Sequence, residues 1–502
     1  MALRFVDVSI TAIDLIYATG DTIVVTRFGS IVQAAVGGFA LGSSTASGLL
    51  IFVDGTLASE YKAISFSTGA NFLTTGQSGR IFGDIRFDGF LNTVVNHGDM
   101  SGDLALSISG SDARVTNSGT ITGQDKAVYL EGNRAYLSNS GVIHGNPSLS
   151  SSIGAVEIQV SAGQVGWLVN SGTIAAGNNA FVGGLGQNYV DNSGRMEGSL
   201  NFGGGVGVER LINRGDIFGN VFGLGSVGSG VENAGSIVGT VTMTAGSDTV
   251  QNAGAIDAVA FGGGVGDRLF NSGTIQSNVG GFGTASTVRN SGEINGRLVM
   301  SAGADTLINL GAISYVDMGA GDDLVAFGAV GSVDRSLLGG AGNDRLVGGG
   351  LGDMFYGDAG NDVLSTWGGG DQLHGGAGND TMSGGDGDDL LRGGSGVDLA
   401  IGGAGFDTFV FASAGELTTA LLCDRVVDFQ LGFDLIDLRL IYAGLLVFRG
   451  TGAFSGGGIE SVNYSSTGGN TTIQIDSDGN GVSNGRILLS GITVLAANDF
   501  LL

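Results

Sequence analysis

The chain has few of the residues that usually stabilise or power a protein. Its 502 residues include one cysteine, Cys423, one proline, Pro147, and three histidines. A single cysteine excludes an intrachain disulfide, so stability outside a cell must come from another source. His97, His144 and His374 stand in unrelated contexts and no His-Glu-x-x-His pair occurs, which excludes zinc-protease chemistry of that type. Bases are scarce, 21 against 47 acids for a net charge of −26. That balance excludes nucleic acid and anionic membrane as partners, since both need basic surface. No run of about 18 apolar residues is present to span a membrane. The opening MALRFVDVSITAIDLIYATGD lacks a basic segment followed by a clean apolar run, so no Sec-type signal is expected. Charged residues are 14% and apolar ones 42%, the reverse of a disordered acidic chain.

Glycine is abundant, at 98 residues, and much of it is periodic. From Gly339 to Val410 a nine-residue pattern runs eight times without a gap, opening at Gly339, Gly348, Gly357, Thr366, Gly375, Gly384, Gly393 and Gly402. Position six is always aspartate: Asp344, Asp353, Asp362, Asp371, Asp380, Asp389, Asp398 and Asp407. Position eight is always apolar: Leu346, Phe355, Leu364, Leu373, Met382, Leu391, Ala400 and Phe409. Glycines at positions one, two and four let the backbone turn tightly and aim its carbonyls inward. A carboxylate two residues later adds charge to that ring of oxygens. Flexible, anionic, all-oxygen cages suit Ca²⁺ better than Mg²⁺ or a transition metal. The expected ligands are the eight aspartates with the carbonyls of Gly342, Gly360, Gly378, Gly387 and Gly396. The apolar position eight belongs on a short strand with its side chain buried.

The pattern, GGxGxDxUx, resembles the RTX (repeats-in-toxin) calcium-binding family, which implies a parallel β-roll with two repeats per turn. Alternate repeats then share an edge, and the edges differ. The odd repeats read GGAGND, GDAGND, GGAGND and GGSGVD, whereas the even ones begin GGGLGD, TWGGGD, GGDGDD and GGAGFD. Leu351 takes a glycine's place, and Thr366 and Trp367 replace a leading pair. The odd edge, through Asp344, Asp362 and Asp380, is therefore expected to bind Ca²⁺ more tightly.

Upstream, the phrase Asn-x-Gly-x-Ile/Met starts at Asn96, Asn117, Asn139, Asn170, Asn192, Asn213, Asn233, Asn252, Asn271, Asn290 and Asn309. Three degenerate copies, ending at Ile31, Leu57 and Ile81, precede them and make fourteen. A period near 20 residues with one apolar anchor and one glycine per unit predicts a stacked solenoid. Each unit reads as one rung of a parallel β-helix. Its Ile faces the core, its glycine makes the corner, and its asparagine tolerates a left-handed turn and can hydrogen-bond to its copies above and below. The pattern resembles the β-helical passenger regions of bacterial adhesins and autotransporters. Asp248, Asp267, Asp305 and Asp323 precede the roll at related spacing, so the two solenoids should grade into each other. As isolated acids, those four are expected to be solvated corners. Pro147 falls in the one long gap between phrases and is expected in a loop leaving the rungs.

The last ninety residues lose glycine and gain longer apolar stretches such as VVDFQLGFDLIDLRLI. FDTFVF, Asp424, Asp428-Phe429, Gly432, Asp434, Ile436-Asp437-Leu438 and the closing Asp499-Phe500-Leu501-Leu502 resemble the C-terminal domain of serralysin-type proteases. The resemblance implies a cap on the roll and an uncleaved signal read by a type I secretion machinery. DSDGNG at 476–481 fits the start of an EF-hand loop, but Ile487 stands where a bidentate glutamate is required, so it is not one. His374 ends a repeat and is expected at the surface.

The expected fold is all-β: a right-handed parallel β-helix of about fourteen rungs over residues 1–317, running into a parallel β-roll over 318–410, with a C-terminal β cap over 411–502. The expected function is that of a secreted, extracellular, calcium-binding structural or adhesive protein. Its expected partners are calcium ions, the type I machinery and a cell-surface or matrix polysaccharide. The alternative is a polysaccharide-active enzyme, a lyase or epimerase. Against it, the Asp-Pro-His signature of alginate epimerases is absent and acids in the rungs are scattered.

Overall fold

The structure, a computed structural model, describes residues 48–502 except 147–152, 414–422 and 443–444, together with strands Leu3–Val6, Ser9–Thr11, Thr22–Val25, Ser30–Gln33 and Phe39–Ser43. Pro147 lies outside the described residues. The chain divides into two compact units, Met1–Gly264 and Val265–Leu502.

In the first unit each phrase is a strand, a tight bend and a second strand. Arg114–Asn117 ends on the asparagine and Thr120–Glu131 follows. Each strand pairs in parallel with its copy a turn away, so Asn96, Asn117, Asn139, Asn170 and Asn192 are consecutive partners. Ile121, Ile143, Ile174, Met196 and Ile217 do the same on the second strand. Those anchors are fully buried, as period-two alternation with one face inward requires. This is a parallel β-helix. Leu3–Val6 with Ser9–Thr11 adds a turn ahead of the first phrase. In the second unit Leu324–Phe327 with Ser332–Val333 adds one after Asn309. The turns therefore exceed the fourteen phrases, because apolar residues such as Phe327 can fill the asparagine's place.

One local expectation needs correcting. Among the described residues no asparagine has positive φ; the repeating asparagine closes a strand and points inward. Its amide makes the expected stack: Nδ2 of Asn117 donates to Oδ1 of Asn139 at 2.7 Å, and Nδ2 of Asn170 to Oδ1 of Asn192 at 2.7 Å. The phrase glycine makes the bend between the two strands, as expected, without positive φ. A Cβ on Gly119, Gly141 or Gly215 would overlap the carbonyl oxygen of the equivalent glycine one turn back, so close stacking excludes any side chain there.

In the second unit the turns run from 19 residues, through one of 21 between Leu324 and Arg345, to 18 within the repeats. Leu324–Phe327 pairs with Thr306–Asn309 on one side and Arg345–Val347 on the other, so phrase turns pass into nonapeptide turns without a break. Met354–Ala359, Gln372–Ala377 and Leu390–Ser395 stack on one face. Val363–Ser365, Thr381–Asp386 and Leu399–Ala404 stack on the other. Position eight is buried in every repeat. Beyond the roll, Asp424–Val426 pairs with Gly485–Leu489, the last strand of an antiparallel meander formed with Ser461–Thr467 and Asn470–Asp476. The meander covers strand edges that would otherwise invite pairing with other chains. Phe500–Leu501 adds a short parallel strand to Leu435–Asp437. The one helical turn among the described residues is a 3-10 turn at Ala497–Asp499, and the protein is all-β. Among the described residues no helix is long and apolar enough to cross a membrane.

Candidate metal centre

The roll places its eight aspartates in two columns. The backbone N–H of Asp344 donates to Oδ1 of Asp362 at 2.7 Å, Asp362 to Asp380 at 2.8 Å and Asp380 to Asp398 at 2.8 Å. On the other edge Asp353 donates to Asp371 at 2.7 Å, Asp371 to Asp389 at 2.8 Å and Asp389 to Asp407 at 3.1 Å. All eight residues are buried. One carboxylate oxygen is thus fixed by backbone. The other, Oδ2, is buried without a hydrogen-bond partner in Asp344, Asp362, Asp371, Asp380, Asp389 and Asp407. Asp353, at the start of its column, differs: its Oδ2 accepts the Gly349 N–H at 3.0 Å.

Glycine makes room for these oxygens. A Cβ on Gly357, Gly375, Gly384 or Gly402 would overlap Oδ2 of the aspartate five residues on. At Gly357 and Gly375 that same point lies 2.6 Å from the carbonyl oxygen of the first glycine one turn on, Gly375 and Gly393. The orphaned oxygen and a backbone carbonyl therefore converge where a side chain cannot fit. Position four needs glycine for its conformation: φ is +139° at Gly342, +144° at Gly360, +133° at Gly378, +145° at Gly387 and +141° at Gly396, where L side chains are strained.

Burial raises the pKa of Asp344, Asp353, Asp362, Asp371, Asp380, Asp389 and Asp407, and column neighbours add to it at Asp344, Asp353, Asp380, Asp389 and Asp407. Asp344 and Asp389 are pushed up to about 6, and Asp380 and Asp407 to about 7. Asp353 also rises to about 6, mainly by burial. Stacked, desolvated acids, six of them with an unsatisfied oxygen, lack a counter-charge. Among the described residues no three His, Cys, Asp or Glu side chains converge. A cation here would be held by carboxylates from successive turns and by carbonyls, all hard oxygen donors. That donor set fits Ca²⁺, which accepts many flexible oxygen ligands.

Residues 301–502 match the family model for the peptidase M10 serralysin C terminal. This stretch is similar to the C-terminal domains of serralysin-type peptidases. Solved structures similar to part of the chain include two subunits of one enzyme. The AlgE6R3 subunit of the Azotobacter vinelandii mannuronan C5-epimerase is 27% identical over 32% of this chain and 77% of that one, with a TM-score of 0.22. The AlgE6R2 subunit of the same enzyme is 27% identical over 31% of this chain and 91% of that one, with a TM-score of 0.20. No curated protein matches the chain.

The serralysin-type domain closes both columns with acids outside the repeats. Asp398 N–H donates to Oδ1 of Asp424 at 2.9 Å, and Asp407 N–H to Oδ1 of Asp434 at 3.1 Å. Asp428 accepts the N–H groups of Gly402 and Gly403, each at 2.9 Å. Upstream, Asp248, Asp267, Asp305 and Asp323 are at most 2% exposed, not the solvated corners their isolation predicts. His374 is only half-buried and stacks on Tyr356 with ring centroids 4.6 Å apart. The DSDGNG turn satisfies itself, since Asp476 accepts the N–H groups of Asn480 and Gly481 at 3.1 and 2.8 Å.

Proposed function

We propose that this is a secreted β-solenoid whose roll folds on extracellular Ca²⁺, with the asparagine-runged helix as a structural or adhesive surface. The observation that carries it is the buried, partnerless Oδ2 of Asp344, Asp362, Asp371, Asp380, Asp389 and Asp407. The ligands are the position-six aspartates, Asp353 and Asp398 included, and carbonyls of the glycine turns, including Gly342, Gly360, Gly378, Gly387 and Gly396. Calcium would supply positive charge and occupy the lone pairs left over; the chain's own residues position the oxygens and exclude water. The serralysin-type domain supports export by a type I machinery, and the polysaccharide of a cell surface or matrix is the partner of the helix.

Magnitudes favour calcium as the control of folding. Extracellular modules bind Ca²⁺ with dissociation constants of about 10⁻⁴ to 10⁻³ M. At roughly 10 mM calcium each such site adds about 1.4 to 2.7 kcal/mol. Six sites supply roughly 8 to 16 kcal/mol, the scale of a domain's whole stability. At micromolar calcium they add almost nothing, and the acids repel one another. A calcium titration of the full chain, followed by circular dichroism and calorimetry, tests this. A cooperative gain of β-structure near millimolar calcium is expected, and a flat response in both signals would overturn it.

One observation favours the second reading, a polysaccharide-active enzyme. A groove of about 450 Å³ in the first unit is lined by Ser59, Glu60, Asp84, Asp103 and Gln124 among others. Its three carboxylates come from successive turns, and burial raises the Asp84 carboxyl, with Asp103 adding to the rise. A carboxyl with a raised pKa beside other carboxylates is suited to general acid chemistry. Incubation with alginate and pectin, assayed for unsaturated products and epimerised residues, decides it; unchanged polymer excludes the activity on these substrates.

A further inference from the structure

The turns just ahead of the first nonapeptide carry the same polar column without its full glycine signature. They read MSAGADTLI from Met300 and MGAGDDLVA from Met318. Asp305 and Asp323 occupy position six and are 1% and 2% exposed. The Asp305 N–H donates to Oδ1 of Asp323 at 2.8 Å, and the Asp323 N–H to Oδ1 of Asp344 at 2.9 Å. Both residues therefore belong to the column of Asp344, Asp362 and Asp380. Their second oxygens, Oδ2 of Asp305 and of Asp323, are buried and have no hydrogen-bond partner.

The backbone around them matches that of the repeats. Gly303 and Gly321, with φ of +106° and +141°, stand where Gly342 has +139°, and Gly319 at +96° stands where Gly340 has +103°. A Cβ on Gly340 would overlap the Gly319 carbonyl oxygen, and one on Gly342 that of Gly321, so the carbonyls stack in register from these turns into the roll. One turn before Asp305 the column holds Ser286, whose N–H donates to Oδ1 of Asp305 at 2.6 Å and whose hydroxyl donates to the Gly283 carbonyl at 3.0 Å. Serine leaves no unsatisfied charge there. The departures from the repeat are position one, where buried Met300 and Met318 replace glycine, and position two of the first of these turns, where Ser301 does.

We propose that the calcium column begins before the repeats, with one ion between the turns of Asp305 and Asp323 and a second between those of Asp323 and Asp344. The proposal rests on the calcium reading of the roll. It gives Asp323 two ions to share and Asp305 one, and it makes the turn of Asn309 part of the calcium-dependent folding unit.

Equilibrium dialysis against ⁴⁵Ca²⁺ on the full chain counts bound ions in wild type, Asp323→Asn and Asp305→Asn. The expected result is two ions fewer for Asp323→Asn and one fewer for Asp305→Asn, with the calcium-induced circular dichroism of the roll retained. Counts equal to wild type in both variants overturn the proposal and leave the roll reading intact. If wild type binds no calcium, the roll reading itself fails. Asp305→Ser guards against misfolding, because serine already fills the same slot at Ser286. One ion fewer in that variant supports the site, and an unchanged count removes it.

Discussion

Nδ2 of Asn192 donates to Oδ1 of Asn213 at 2.8 Å, one turn away and shielded from water. The relationship explains why one solenoid segment is self-sufficient and the other is not. An amide has both donor and acceptor, so an asparagine column can satisfy itself turn after turn. A carboxylate has only acceptors. When Asp380 accepts the Asp362 N–H at 2.8 Å, its other oxygen is left without a donor. The aspartates occupy a separate column that stacks by backbone N–H to carboxylate, not amide to amide, and Oδ2 of Asp344, Asp362 and Asp380 is left there as a charged acceptor without a donor.

Asn213 tests the amide column. Its Nδ2 donates to Asn233 Oδ1 at 2.8 Å, Gly215 O at 3.0 Å and Ser236 O at 3.1 Å. Asn213→Ala removes the donor to Asn233 Oδ1 and the acceptor of the Asn192 amide, at a cost of about 1–3 kcal/mol per buried group left unpaired. Asn213→Asp is expected to be worse, since it turns a charged oxygen toward three acceptors with no counter-ion. Thermal melts should rank wild type above Ala above Asp; an Asp variant as stable as wild type would contradict the column.

Glycine requirements differ by position, and alanine separates them. At Gly468 φ is +62° with nothing within 4 Å of a Cβ, so Gly468→Ala costs about 1–2 kcal/mol of left-handed strain. At Gly378 φ is +133° and a Cβ would overlap the Gly360 carbonyl oxygen. Gly378→Ala should abolish the calcium-induced dichroism change of the roll, while Gly468→Ala retains it. Equal behaviour would show that stacking does not demand glycine at position four.

The two edges give a third test. The odd column of Asp344, Asp362 and Asp380 has a partnerless Oδ2 at each, whereas the even column opens at Asp353, whose Oδ2 already accepts the Gly349 N–H. Asp380→Asn is therefore expected to raise the calcium concentration at half-folding several-fold, and more than Asp389→Asn does. A larger shift from Asp389→Asn reverses the assignment of the tighter edge.

Periodicity made the roll legible, because every repeat states its glycines, aspartate and apolar anchor at fixed positions. What escaped does not repeat. Asp424 and Asp434 end the columns 26 and 27 residues after Asp398 and Asp407, and only the backbone N–H groups they accept reveal their role. The turn at Leu324–Phe327 was hidden because Phe327 fills the asparagine slot. Asp305 and Asp323 read as solvated because burial there comes from turns stacked above and below, which no local window shows. The Asn-x-Gly phrase imitates a left-handed turn, yet its glycine answers to the carbonyl of the neighbouring turn.

Glu209 supplies a pH test that does not involve the roll. It is fully buried; Oε2 accepts the Asn188 N–H at 2.6 Å, and Oε1 has no partner. Burial pushes its carboxyl from 4.5 up to about 8, against the opposing effect of the Asn188 hydrogen bond. The folded protein thus keeps a proton that the unfolded chain releases above about pH 4.5. Its stabilising share is complete below that pH and is lost as pH rises through about 8. Glu209→Gln keeps a neutral side chain at every pH. At fixed calcium its melting temperature should lie near that of wild type at about pH 5 and rise above it by about pH 8.5. Comparing the two proteins cancels titrations they share, so a gap that stays constant across this range would place Glu209 in the fold as an ordinary ionised acid.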